Sequence, residues 1–194
     1  MRIEISEEKA PNLQEYAQIR MSFEVREVLD VLTPNDGLGG FTLSERKLPV
    51  PYLKDYDAIE SPLHWCRSFD TSNWAFFAAR AEGVRVGGAA VAFDTPGLMM
   101  FEDRRDIAVL WDVRIAAEAR RQGVGAALFK AAEKWAVAQG CRRLKVETQN
   151  INVPACRFYA RQGCVLGAIH RFAYPEFPNE AQLLWYKDLT GETG

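Results

Sequence analysis

The sequence contains few of the residues that bind metals or form disulfides. Its 194 residues include four cysteines and two histidines, and the cysteines form no Cys-x-x-Cys pair. Neither histidine lies at zinc-site spacing from a cysteine, so the pattern does not support a structural zinc site. We therefore predict a metal-free chain whose cysteines remain free thiols in a reducing cytosol.

Long apolar runs and a large excess of one charge are absent as well. No run approaches the length of a membrane span, and the first 16 residues contain no apolar core of signal-peptide length. The formal net charge of −2 provides neither the basic stripe of a nucleic-acid-binding protein nor a basic surface for a membrane. These absences predict a cytoplasmic protein that binds neither nucleic acid nor membranes.

The first third of the chain shows a mixed pattern. Residues 2–5 alternate weakly, which predicts a first strand, and residues 12–31 combine helix formers with apolar positions, which predicts one or two helices. Residues 33–62 contain four prolines and three glycines. That density of breakers predicts loops that wrap a surface or cover a site.

The rest of the chain alternates between strand and helix patterns. The predicted elements are an antiparallel hairpin of residues 73–80 and 84–94, a strand at 106–116, a helix at 123–139, a strand at 142–148, a helix at 152–161, and strands at 165–174 and 180–189. Gly140 and Gly163 are placed to end the two helices. This order, without an internal repeat, predicts one mixed α/β domain over residues 1–194.

Residues 118–128, EARRQGVGAAL, place two arginines and several small residues before the predicted helix. Backbone N–H groups at a helix N-terminus are unpaired and bind phosphate well where small residues allow close approach. The segment is not a P-loop, because no Gly-Lys-Ser/Thr sequence ends it, and it lacks the third glycine of the dinucleotide-binding motif. Taken alone, it fits a phosphate site and a packing loop with solvated arginines equally well.

Two motifs resemble those of the GNAT superfamily of N-acetyltransferases. The first is Arg-Arg-Gln-Gly-Val-Gly, and the second, about thirty residues downstream, is Asn152-x-x-Ala155-x-x-x-Tyr159-x-x-x-Gly163. Further segments are similar to streptothricin acetyltransferases: LKVETQNINVPACRFYARQGCVLGAI, NEAQLLWYKDL, FEVREVLDV and PYLKDYDA. The resemblance implies a GNAT fold, an α/β fold in which helices flank a single mixed, mostly antiparallel sheet with splayed central strands.

The resemblance also implies acetyl-CoA as co-substrate. Its pyrophosphate would lie on the backbone N–H groups of residues 120–126, and its pantetheine arm would bind backbone groups of the splayed strand. The implied cofactor-binding residues are Val113, Ile115, Arg120, Arg121, Gln122, Gly123, Val124, Gly125, Ala126, Asn152, Ala155 and Tyr159. Arg157 would either reach a phosphate or belong to a solvated helix face.

Two catalytic roles follow from the resemblance. An amine attacks the thioester directly in such enzymes, and a lysine-type amine, with a pKa of about 10.4, must first lose a proton. Glu147 is the candidate base; it could instead bind the substrate cation or face solvent. Asp112, on the neighbouring strand, could fill either role. Tyr159 matches the tyrosine that protonates the departing thiolate, and its alternative is a buried aromatic residue.

The resemblance implies a cationic acceptor, because streptothricins carry β-lysine amines. Carboxylates and aromatic faces suit such an acceptor. The candidate contacts are Asp112, Glu147, Tyr52, Tyr56 and Trp111, with further carboxylates at Glu24, Glu27, Asp30, Asp55, Asp57 and Glu180. Trp111 replaces an acidic residue that relatives often carry, and Cys164 replaces a phenylalanine. Residues 61–73 look divergent or inserted, so their role stays open.

Three hypotheses about the function therefore remain open. The acceptor could be an antibiotic amine, or it could be a protein N-terminus, a lysine or another small amine. A catalytically silent acyl-CoA-binding module would keep the 120–126 segment but would need neither Tyr159 nor Glu147. The resemblance implies a monomer or a homodimer.

Overall fold

A computed structural model describes residues 2–9 and 11–189 of the protein. The strands in these ranges are β1 (Ile3–Glu7), β2 (Ser22–Leu32), β3 (Thr42–Asp55), β4 (Ala75–Ala81), β5 (Val84–Phe93), β6 (Ile107–Ile115), β7 (Arg143–Gln149), β8 (Val165–His170) and β9 (Gln182–Asp188). The α-helices are α1 (Leu13–Ala17), α2 (Trp65–Ser68), α3 (Val124–Ala138) and α4 (Val153–Arg161). From β4 onward, the elements confirm the predicted order of strands and helices.

Seven strands form one mixed sheet in the order β1-β4-β5-β6-β7-β9-β8, and β2 and β3 form a separate two-stranded sheet. The pairs β1–β4, β4–β5, β5–β6 and β8–β9 are antiparallel, whereas β6 and β7 are parallel. This arrangement confirms the predicted α/β class and the mixed, mostly antiparallel sheet.

The chain divides into two compact units. The first takes its residues from Met1–Met21, Asp55–Val146 and Lys187–Gly194, and the second from Ser22–Lys54 and Glu147–Tyr186. Strand β7 passes from the first unit into the second. The organisation of the whole chain as one domain stays a prediction.

The core of the first unit lies around β4, β5 and β6, whose residues are almost all buried. Helix α3 packs against these strands, and its buried positions, among them Val124, Leu128 and Ala132, recur at helical spacing. The helix ends before Gly140, whose φ of +79° is the left-handed conformation that favours glycine. The predicted end of this helix is therefore confirmed.

The second unit corrects two predictions. One or two helices were predicted over residues 12–31. The structure has a short helix at Leu13–Ala17, and Ser22–Leu32 is a strand. Phe23 and Val25 pack in the core of the second unit, whereas Glu24 and Arg26 are exposed. This alternation has the two-residue period of a strand. The spacing of Val25 to Val28 imitates a helix, and that spacing misled the sequence prediction.

Strand β3 corrects the second prediction, since residues 42–55 are a long strand and not loops. Pro49 and Pro51 lie within it and are exposed. Proline cannot donate a ladder hydrogen bond, but it is tolerated where a strand has one partner, as β3 has in its two-stranded sheet with β2. The prolines therefore mark an edge strand.

Candidate functional site

The N-terminus of α3 has the features of an anion site. Arg121 and Gly123 both have left-handed backbone conformations, with φ of +60° and +86°. No side chain caps the helix at Gly123, so the first N–H groups keep their capacity to donate. Residues 120–123 are exposed. The segment therefore has the geometry that a pyrophosphate, the group implied by the resemblance, would need.

Side chains in this segment also hold the loop itself. Arg120 Nε donates to the carbonyl oxygen of Ile115 at 3.3 Å, and Gln122 Nε2 donates to that of Glu118 at 2.7 Å. Val124 is buried, Gly125 is half-buried and Ala126 is exposed. The backbone, more than these side chains, is therefore the part of the segment that is available to a phosphate.

Strand β6 leaves its parallel partner part of the way along. It pairs with β7 only from Ile107 to Val109, although it continues to Ile115. Its pairing with β5 is interrupted by a bulge, because Ala90 lies opposite Asp112 and the adjacent Val91 lies opposite Leu110. Trp111 is the extra residue of this bulge. Val113 and Ile115, both half-buried, follow it on the stretch that has no β7 pairing within the described chain.

Asp112 lies in a buried hydrogen-bond cluster of the first unit. Its Oδ1 accepts from the Tyr16 hydroxyl at 2.7 Å and from Arg114 Nε at 2.9 Å, and its Oδ2 accepts from Arg114 Nη2 at 2.7 Å. Burial and the charge of Asp112 hold the pKa of Tyr16 well above its ordinary value, so Tyr16 is a neutral donor. Both oxygens of Asp112 are therefore occupied by hydrogen bonds from Tyr16 and Arg114.

Residues 61–73 contribute to an aromatic cluster of the first unit. Helix α2 begins at the buried Trp65, whose ring contacts those of Tyr16 and Trp74 at centroid distances of 5.7 and 6.1 Å. Phe69 contacts the half-buried Trp111 at 5.2 Å. The segment that the sequence left without a role therefore supports the side chain at the β6 bulge.

Glu147 is held by neutral donors of the second unit. The Tyr174 hydroxyl donates to its Oε1 at 2.5 Å, and Gln182 Nε2 donates to its Oε2 at 2.7 Å. Gln149 Nε2 lies 3.4 Å from Oε1. Within the ranges that the structure describes, no ion pair joins Glu147 to a basic side chain. Its hydrogen-bond partners there are neutral side chains.

The other candidate carboxylates have basic partners. In the second unit these pairs are Glu24–Arg26, Glu27–Arg157, Asp30–Arg46 and Glu180–Lys54, and in the first they are Asp55–Arg20, Asp57–Arg20 and Asp57–Arg114. An acidic patch built from them would therefore carry little net charge. Arg157 also binds Glu45, so its side chain is engaged by two glutamates.

Helix α4 carries the second motif. Asn152 is its N-cap, and its side-chain oxygen accepts from Ala155 N–H at 3.2 Å. Tyr159 lies in the last turns and is 8% exposed, with its ring against that of Phe158. Cys164, after the helix, is buried as a core residue. Asn152 therefore orders the helix that positions Tyr159.

The two predicted acceptor tyrosines lie in different units. Tyr52 is on β3 in the second unit and is 43% exposed, and burial and the charge of Glu180 raise its pKa. Tyr56 is in the first unit, where its N–H donates to the Met21 carbonyl at 3.0 Å. Both stay predicted contacts.

The sequence did not indicate that Tyr174 and Gln182 are partners of Glu147. Tyr174 lies between β8 and β9 in a segment predicted as strand, and Gln182 begins β9. Tyr174 lies outside the segments that carry the resemblance, and Gln182 lies inside one of them without an assigned role. Their proximity to Glu147 depends on contacts across 27 and 35 positions of sequence. Only the polar side chain of Gln182 in an apolar strand was a signal.

Within residues 2–9 and 11–189, no three His, Cys, Asp or Glu side chains form a group that could hold a metal ion. In the same ranges, no helix has both the length and the apolar character needed to cross a membrane.

The chain is similar to known acetyltransferases. Residues 41–164 match the acetyltransferase (GNAT) family. A streptothricin acetyltransferase from Escherichia coli is 33% identical over 168 residues, with 84% of each chain covered. Streptothricin acetyltransferase A from Bacillus subtilis (strain 168) is 29% identical over 150 residues, which cover 76% of this chain and 80% of the relative.

A solved structure is similar over almost the whole chain. It is a protein of Bacillus anthracis str. Ames, provisionally assigned as a streptothricin acetyltransferase and solved in complex with acetyl coenzyme A. Its TM-score is 0.76 at 22% identity, with 96% of this chain and 99% of the other covered.

Proposed function

The chain belongs to the acetyltransferase (GNAT) family and is an N-acetyltransferase that uses acetyl-CoA, and we propose that its acceptor is a primary amine of a streptothricin-type antibiotic. Family membership confirms the resemblance seen in the sequence. The names of the relatives from E. coli and B. subtilis support the choice of acceptor. A β-lysine amine is the group that the resemblance implies.

Bound acetyl-CoA supplies the thioester carbonyl that the amine attacks. The uncapped N-terminus of α3, with Gly123 in the left-handed conformation, supports a pyrophosphate there, and the exposed Arg120 and Arg121 add positive charge. The backbone of Val113 and Ile115, beyond the last β6–β7 pair, supports binding of the pantetheine arm. Asn152 and Ala155 shape the start of α4, which is the other predicted cofactor contact.

The observation that carries the proposal is the set of partners of Glu147. A lysine-type amine has a pKa of about 10.4 and is almost wholly protonated at neutral pH, so it cannot attack until it loses a proton. The donors to the two carboxylate oxygens of Glu147 are Tyr174 and Gln182, which are neutral, so neither competes with the substrate ammonium as a cation. Glu147 therefore attracts the ammonium ion and accepts its proton, directly or through water.

Tyr159 supplies the second proton transfer in this proposal. As the thioester collapses, the bond from carbon to sulfur breaks and a thiolate departs. The phenol of Tyr159 donates a hydrogen bond to that thiolate and protonates it. Tyr159 lies near the end of α4 and is 8% exposed.

Glu147→Gln and Tyr159→Phe test the two roles. Each is expected to lower kcat by about 10²–10⁴, the contribution of a positioned acid or base, without abolishing acetyl-CoA binding. Thiol release at saturating acceptor measures kcat, and calorimetry measures binding. Glu4→Gln, on the exposed β1 strand, is the matched control. Wild-type turnover in both active-site variants would refute the assigned roles.

The acceptor is tested with the purified protein. Acetyl-CoA-dependent thiol release is measured with a streptothricin, a panel of polyamines and N-terminal peptides, and efficient turnover of the streptothricin is expected. Turnover of peptides alone would refute the antibiotic proposal. Tight CoA binding with no turnover would indicate an acyl-CoA-binding module. Light scattering in the same buffer tests the expected monomer or homodimer.

A further inference from the structure

We propose that Tyr174 and Gln182 are positioning residues that hold the Glu147 carboxylate in its reactive orientation. This inference rests on the proposed role of Glu147. The last torsion of a glutamate side chain is broad and weakly defined by its own rotamers. One donor on each oxygen defines it, since Tyr174 binds Oε1 at 2.5 Å and Gln182 binds Oε2 at 2.7 Å.

The Tyr174 hydroxyl is itself oriented by a neighbour. Gln149 Nε2 donates to the Tyr174 oxygen at 2.9 Å, so the hydroxyl proton is directed to Glu147. Residues 147 and 149 are two apart on β7 and therefore lie on the same face of that strand. Gln149 therefore donates to Tyr174, and Tyr174 donates to the Glu147 carboxylate. In such a chain of hydrogen bonds, each bond polarises the next.

The segment that carries Tyr174 is anchored by a buried ion pair. Lys54 Nζ lies 2.6 Å from Glu180 Oε1, and both side chains are less than 10% exposed. The same ammonium lies 3.7 Å above the ring of Phe177, which favours a cation–π contact. Phe177 N–H in turn donates to the Tyr174 carbonyl at 3.0 Å. These contacts fix the backbone between β8 and β9 within the second unit.

Neutral donors suit a carboxylate that must attract a cation. A lysine or arginine in their place would orient Glu147 equally well, but it would cancel the negative charge that the substrate ammonium needs. A tyrosine hydroxyl and an amide orient the carboxylate and leave its net charge unchanged. The chain uses ion pairs at the other candidate carboxylates and departs from that pattern at Glu147.

A double-mutant cycle tests the inference. Tyr174→Phe and Gln182→Met are made in the native chain and in Glu147→Gln, and kcat and both KM values are measured by thiol release. Each single change is expected to lower kcat by about 10- to 100-fold, the effect of a misplaced reacting group, while the acetyl-CoA KM stays within about twofold. In the Glu147→Gln background, each is expected to lower kcat by less than about twofold, because the group through which it acts is gone.

Matched controls separate this role from a general loss of structure. Tyr186→Phe removes a hydroxyl from a ring that packs on Gly167, and Gln139→Met changes an exposed glutamine after α3; both are expected to keep native kcat. Thermal melting confirms that each variant is folded. If Tyr174→Phe fails to fold, Gln182→Met still decides the question.

Two results would overturn the inference. The first is native kcat in folded Tyr174→Phe and Gln182→Met while Glu147→Gln is impaired. The second is a full multiplicative loss in the Glu147→Gln background, which would show that the two residues act independently of Glu147. Native turnover of Glu147→Gln would be a different failure, that of the proposed function itself.

Discussion

Removing the buried guanidinium of Arg114 is expected to destabilise the first unit severely. Its side chain is 2% exposed, and its nitrogens lie 2.7 and 2.9 Å from Asp112 and 3.0 Å from Asp57. In Arg114→Met the Asp112 carboxylate loses its cation while it stays buried. Asp57 is less affected, because it keeps Arg20 and the Met21 N–H as partners.

The magnitude follows from the cost of an uncompensated buried charge. Breaking such a pair costs about 3–5 kcal/mol. Each kcal/mol lowers Tm by about 2–4 °C in a chain of this size, so Arg114→Met is expected to lower Tm by roughly 6–20 °C. Adding Asp112→Asn removes the orphaned charge and keeps an acceptor for Tyr16. The double variant should therefore recover at least about 1 kcal/mol relative to Arg114→Met.

Thermal unfolding followed by circular dichroism, with urea unfolding as a second measurement, tests this expectation. Arg105→Met is the control: its side chain is 86% exposed and its nearest carboxylate, that of Asp94, is 3.8 Å away. The control should change the free energy of unfolding by less than about 0.5 kcal/mol. A Tm for Arg114→Met within 2 °C of native, or a double variant less stable than Arg114→Met, would refute the reasoning.

Three further predictions use other features of the fold. Gly88→Ala should destabilise the protein by about 1–3 kcal/mol in urea unfolding, because a Cβ there would lie 2.5 Å from the Tyr16 ring; native stability would contradict this. Gly123→Ala should weaken CoA binding in calorimetry by about 5- to 30-fold, because alanine relaxes the free loop out of the left-handed conformation and binding must restore it at a cost of about 1–2 kcal/mol; an unchanged Kd would contradict this. At pH 8, iodoacetamide should label the exposed Cys66 first, because Cys141 is buried and burial raises its pKa to about 11; equal labelling rates would contradict the burial.

The sequence predicted the second half of the fold because its signals there are local. Helix α3 has apolar residues at helical spacing and a glycine at its end, and the hairpin β4–β5 has a Glu-Gly turn between two apolar runs. The predictions for the residues of β2 and β3 were wrong for a physical reason. Their structure depends on pairing with each other, and the prolines of β3, which usually break strands, are tolerated at a sheet edge.

The candidate site divides in the same way. Residues in motifs, such as Gly123 and Tyr159, were predicted because loop and helix chemistry is written in adjacent residues. The environment of Glu147 was not, since Tyr174 reaches it from a distant segment. The pairing of Asp112 with Arg114 was also missed, although the two residues are two apart on one strand. Burial decides whether such a pair matters, and burial is not visible in a short stretch of sequence.

The prolines of β3 also bear on how the protein behaves at high concentration. Val50 and Leu53 are 76% and 69% exposed on this strand, and an exposed apolar edge strand can pair with the same strand of another molecule and begin an aggregate. Pro49 and Pro51 carry no N–H, so the strand has two fewer donors. The residues that obscured the strand in the sequence therefore limit the hydrogen bonds that a second molecule could form with it.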